Sequence, residues 1–187
     1  MNAPEPALEQ LLARAAQGDG QAWRQLVDRY SGRVFGVLRS NGVDADRAEE
    51  ITQSVFCTLA TKLPGYVEQG HFESWLFRIA LNRLRDDARR RKRHAKPVGD
   101  SGAFESIGVD SPPVSGADPE EMDALRKALT KLSPSDREVI DLRHIGGMSF
   151  KQMAELLQEP LGTLLARHHR ALQKLREMLV GTDGDST

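Results

Sequence analysis

FESWLFRIALNRLRDDARRRKRHAK, residues 72–96, couples an apolar, aromatic-rich half to a strongly basic one. Phe72, Trp75, Leu76, Ile79, Ala80 and Leu84 recur with the period of one helical face, which predicts a helix whose stripe belongs to a core. On another side Arg78, Asn82, Arg85 and Arg89 repeat at steps of four, three and four. Guanidinium groups bind phosphate bidentately and an amide pairs with a base edge, so this ridge suits DNA. Solvated charge is the competing explanation for a basic run. Here RRRKR, residues 89–93, stands behind Arg78 and Arg85 with too few acids to neutralise it, which favours nucleic acid.

Working outward, the net charge of −1 over 187 residues hides strong segregation. Residues 71–96 hold nine Lys or Arg against three Asp or Glu, whereas residues 97–121 hold six acids and no base. Such separation points to a polyanionic partner for one face. Segment 97–118 is rich in Pro, Gly and Ser and poor in large apolar residues, the composition of a flexible acidic linker. Elsewhere the period is helical, with no convincing alternation. LEQLLARAAQGDGQAWRQLVDRYSGRVFGVLRS divides into two helices at Gly18-Asp19-Gly20, and DADRAEEITQSVFCTLATKL forms a third. Pro64-Gly65 ends that helix, and the loop PGYVEQGH carries Tyr66, an aromatic able to stack on an unpaired base. The expected fold is all-α: two small helical domains, 7–96 and 119–180, joined by the tether.

In the second domain, LSPSDREVIDLRHIGGMSFKQMAELLQEPLGTLLARHHRALQKLREML has the layout of a helix-turn-helix. Ser133-Pro134 starts one helix and Gly146-Gly147 ends it. Ser149 is an N-cap for a short helix, Phe150 to Leu157, and a longer helix runs from about Leu161. Thr163, Arg167, His169, Arg170 and Lys174 make up its polar side, the candidate contacts to a major groove. A plain helical bundle has the same spacing, so the layout alone leaves both readings open.

Other classes find little support. The N-terminal residues lack the apolar segment of a secretion signal, and no apolar run nears the roughly 20 residues needed to span a bilayer. A lone Cys57 and five scattered His offer neither an intramolecular disulfide nor a zinc spacing. No nucleophile signature, metal-spaced carboxylate cluster or Gly-rich phosphate loop is visible, and Asp86-Asp87 reads as an intrahelical partner of nearby arginines. The expectation is a soluble, intracellular, non-catalytic protein with no membrane insertion, metal or cofactor.

The motifs together resemble the extracytoplasmic-function type of sigma factor, the minimal two-domain class of the sigma-70 family. DADRAEEITQSVFCTLATKL resembles its region 2.2, FESWLFRIALNRLRDDARRRKR its regions 2.3 and 2.4, and LSPSDREVIDLRHIGGMSFKQMAELLQEPLGTLLARHHRALQKLRE its region 4. The resemblance implies core RNA polymerase as a partner through Glu50, Gln53 and Phe56. It implies promoter DNA at the −10 element through Tyr66 and Asn82, and at the −35 element through the second helix of the helix-turn-helix. An anti-sigma factor is a further partner it implies. Two departures stand out. Leu165 and Ala166 occupy positions where the family usually has a basic and a small polar residue, and Ser54 stands where it often has Glu. A free-standing helix-turn-helix regulator is the alternative, but it leaves the region 2.2 helix and the Tyr66 loop without a task.

Overall fold

The computed structural model describes residues 8–94 and 118–180, so the expected linker lies, but for its last residue, outside the described residues. Eight α-helices and no strand are found among them. The first module holds α1 (Leu8–Ala16), α2 (Gly20–Ser40), α3 (Ala45–Lys62) and α4 (Phe72–His94). The second holds α5 (Pro119–Thr130), α6 (Pro134–Ile140), α7 (Phe150–Leu157) and α8 (Leu161–Val180). No helix among the described residues is long and apolar enough to cross a membrane.

Side-chain caps set the starts. Asp19 accepts from the Gln21 and Ala22 amides to open α2, and Asp44 accepts from the Arg47 amide to open α3. Ser149 and Gln152 form a reciprocal capping box that starts α7 where the sequence places it. The helix expected to run from Asp136 to Ile145 departs from regularity. After Ile140 the chain takes one π-helical turn, Asp141–Ile145, closed by the Gly146 amide bonding to the Asp141 carbonyl at 2.8 Å.

In the first module Leu26, Tyr30 and Val34 of α2 meet Val55 and Leu59 of α3 and Phe72, Leu76 and Phe77 of α4, all fully buried. Tyr30 keeps a polar tie, its hydroxyl donating to Glu73 at 3.0 Å. Of the expected apolar stripe of α4, Phe72, Leu76 and Ala80 are core, while Trp75, Ile79 and Leu84 are half-buried at its edge. The second module has its own cluster of Ala128, Leu132, Ile140, Ala171 and Leu175.

The two modules also share a core: Val139, Leu142, Met148, Met153, Leu156 and Leu164 join the cluster of the first module. Along this seam Arg33 of α2, stacked 4.8 Å over the Tyr30 ring, donates through Nε to the Gly146 carbonyl at 2.8 Å. Gly36 sits where a Cβ would come within 2.6 Å of Ile145 Cγ2, so the approach of α2 to the π-turn depends on its lacking a side chain. Gly147 takes φ 62°, the left-handed region that glycine enters without a steric cost. Asp141 is buried here, and its carboxyl is pushed up to about 6 by burial, which Arg137 and Ser40 oppose only in part.

Candidate nucleic-acid interface

The basic ridge of α4 forms as the spacing predicts. Arg78, Asn82, Arg85 and Arg89 are all exposed, and the Arg85 guanidinium lies 3.4 Å from the Asn82 Oδ1. Two further arginines have partners within the module: Arg83 donates to the Thr58 hydroxyl at 2.9 Å, and Arg91 pairs with Asp87 at 3.3 Å. Asp87 is buried, and its main partner lies across the helices, where Arg47 Nε of α3 donates to it at 2.8 Å. The intrahelical pairing expected of Asp86-Asp87 thus holds for Asp87 with Arg91 and misses the stronger tie to α3. Fixing that acid to α3 leaves the outward cations to face solvent.

Tyr66 is not a free aromatic. Its ring stacks on Trp75 at 4.5 Å with planes 4° apart, and its hydroxyl donates to Glu68 at 2.9 Å. Burial, then Glu68, makes the phenol harder to ionise than usual. One ring face is therefore occupied and the loop is held against α4.

The second module closes over the start of this surface. Ser74 donates to the Gln152 carbonyl at 3.1 Å, and the Gln152 amide donates to Glu73 at 3.0 Å. His71 meets the Glu155 carboxylate at 2.6 Å, and Arg78 donates to the Glu155 carbonyl at 3.1 Å. Arg78 is thereby engaged by α7, while Asn82 and Arg89 stay clear of it. Neither Gln152 nor Glu155 stood out in the sequence. The Gln152 side-chain oxygen closes the α7 capping box, and nothing in a single chain signals that its Nε2 donates to another helix.

On α3, Glu50 and Gln53 are exposed, Glu50 paired with Arg47 and Gln53 donating to Glu49 at 3.4 Å. Phe56 is 7% exposed and sits edge-on to Trp23 at 6.3 Å. It is a core residue in this arrangement, so the outward face of α3 is carried by Glu50 and Gln53 with Phe56 behind them.

On α8 the expected polar contacts divide. Thr163, His169 and Arg170 are exposed. Arg167 is clamped by Glu159, Nη1 to Oε1 at 3.1 Å and Nη2 to Oε2 at 2.6 Å. Lys174 pairs at 2.7 Å with Asp136, whose carboxyl it holds below its usual range. Those two cations are tied within the module, Arg167 largely covered and Lys174 still exposed. His168 faces His144, Nε2 to Nε2 at 3.1 Å, and meets the Phe150 ring edge-on. Burial, then the neighbouring His144, disfavours its charged form. Among the described residues no group of three or more His, Cys, Asp or Glu is placed to hold a metal ion.

Residues 26–94 match the family model for Sigma-70 region 2, and residues 122–175 that for Sigma-70, region 4. The RNA polymerase sigma factor NccH of Alcaligenes xylosoxydans xylosoxydans is 33% identical, aligned over 94% of this chain and 96% of its own. The ECF RNA polymerase sigma factor SigW of Bacillus subtilis is 26% identical over 94% of this chain and 98% of its own. A solved structure of CnrH in complex with the cytosolic domain of CnrY shares the fold at a TM-score of 0.66 and 29% identity, covering 95% of this chain and 98% of that one. The Bartonella quintana sigma factor RpoE, solved with the anti-sigma factor NepR, has the same fold at a TM-score of 0.67 and 23% identity, covering 89% and 99%.

Proposed function

Because the chain belongs to the sigma-70 family, as a sigma factor of the extracytoplasmic-function type, we propose that it binds core RNA polymerase in the cytoplasm and directs promoter recognition, −10 melting and transcription initiation. The family is one of non-catalytic initiation factors, and nucleotide addition belongs to the polymerase.

The observation that carries this reading is the exposed line Asn82, Arg85 and Arg89 within the stretch matched by region 2. Cations held outward contact promoter phosphates, and the amide between them faces a base edge. Glu50 and Gln53 form the polymerase-docking face of α3. Region 4 meets the −35 element with Thr163, His169 and Arg170. Because the Glu155 carbonyl of α7 engages Arg78 in the closed arrangement, the seam between the modules parts when promoter DNA takes up that guanidinium. A partner that holds the seam shut keeps the factor inactive. An anti-sigma factor suits that role, as suggested by the relatives solved with bound partners.

Co-elution with core polymerase on size exclusion tests the reading, comparing wild type with Glu50→Lys plus Gln53→Lys. Both positions are exposed, so the double variant keeps its helical circular dichroism. Stoichiometric co-elution of the wild type, lost in the variant, is the expected result. A folded wild type that never co-elutes with core from its own source would move the function to a free-standing DNA-binding regulator.

A further inference from the structure

A helix-turn-helix inserts the N-terminal part of its second helix into the major groove, which here means residues 161–168 of α8. Leu161 is 47% exposed and Leu165 44%, and Gly162, Thr163 and Ala166 are exposed beside them. The polar side chains of these turns mostly face elsewhere. Arg167 spends its guanidinium fork on Glu159, and His168 is turned back onto His144 and Phe150. Thr163 alone among these described residues keeps a hydrogen-bonding group outward.

An aliphatic surface set against a purine edge leaves the N7 and O6 or N6 groups of the base without partners, and unpaired polar groups removed from water are costly. In the major groove the one methyl group on any base edge is that of thymine C5. Exposed cations flank the patch, Lys151 on α7 and Arg170 on α8, as suits contact with the phosphates on either side.

We propose that Leu165 and Ala166 read the −35 element by enclosing thymine methyl groups, in place of the guanidinium-to-guanine pairing that a basic residue there would give. This rests on the proposed role of region 4 as the −35 reader. The preferred element carries thymine opposite Leu165, and Arg167 acts by positioning the helix through Glu159.

The test uses holoenzyme assembled from the full chain and core polymerase. Duplex promoters with a randomised upstream hexamer are selected for binding. The selected hexamer is then remade with each thymine replaced in turn by deoxyuridine, which lacks only the methyl. At one position or more, deoxyuridine should weaken binding about three- to fivefold, the effect of one methyl-sized group left in water. In Leu165→Ala, an exposed position where the fold is retained, thymine and deoxyuridine should bind alike. If a scrambled hexamer binds as well as the selected one, the −35 reading fails and this inference with it. If the selected hexamer matters but lacks thymine, or tolerates deoxyuridine throughout, the inference alone is overturned. The leucine face then belongs to a protein partner.

Discussion

Helices α4 and α8, the two through which we propose that this sigma factor faces a promoter, handle charge in different ways. In α4 the acid is withdrawn: Asp87 is buried against Arg47, and Arg78, Asn82, Arg85 and Arg89 remain outward. In α8 two cations are tied within the module, Arg167 to Glu159 and Lys174 to Asp136, while Arg170 stays exposed and leucines at 161 and 165 are left exposed. A count of basic residues would rate both helices as DNA-binding on the same grounds. The difference lies in where each charge finds its partner, and it implies that α4 acts through phosphates while α8 discriminates through apolar contact.

The largest effect expected falls on the acid that keeps the α4 ridge outward. Asp87→Ala strips Arg47 of its partly buried partner and should cost about 2–4 kcal/mol, lowering the thermal midpoint by several degrees. Exposed Asp86→Ala should stay within about 0.5 kcal/mol. Similar losses from both would break the distinction between a structural and a solvated acid.

Next comes the seam between the two modules. Asp141 ionises near pH 6 in place of 3.8 because burial favours its neutral form. Its stabilising contribution is therefore full below about pH 4 and is lost as pH rises through about 6. Asp141→Asn should raise stability by about 2 kcal/mol at pH 7.5, leave it unchanged near pH 4, and so flatten the profile. Calorimetry across that range checks it, and a parallel offset at every pH would remove Asp141 as the titrating group.

Arg167→Gln should have the smallest effect of the three, about 0.5–1 kcal/mol of stability from loss of its pair with Glu159. The hexamer selected by the variant holoenzyme should match that of the wild type. A changed base preference would return Arg167 to the reading residues and narrow the contrast between the helices.

Much of the fold was legible because its signals are local. Asp19, Asp44, Ser133 and Ser149 cap the helices that the sequence places after them, and the α4 ridge follows from its own spacing. What escaped depends on distant groups. Gly36 interrupts α2 with no side chain, and the nearness of Ile145 accounts for it. The residue types at 167 and 174 promise DNA contact, yet Glu159 and Asp136 claim their heads from other elements. The family resemblance places Phe56 on the polymerase face, and in this arrangement it packs in the core with Ile51, Val55 and Leu59, behind Glu50 and Gln53.

The contrast between the helices is tested most directly by the salt dependence of holoenzyme binding to a selected promoter. Arg85→Ala plus Arg89→Ala should reduce the slope of log K against log salt by about 1.5–2, two phosphate contacts being lost. Leu165→Ala should weaken binding with no change in slope. An α4 variant that keeps the wild-type slope, or an α8 variant that loses it, would contradict the division of labour between them.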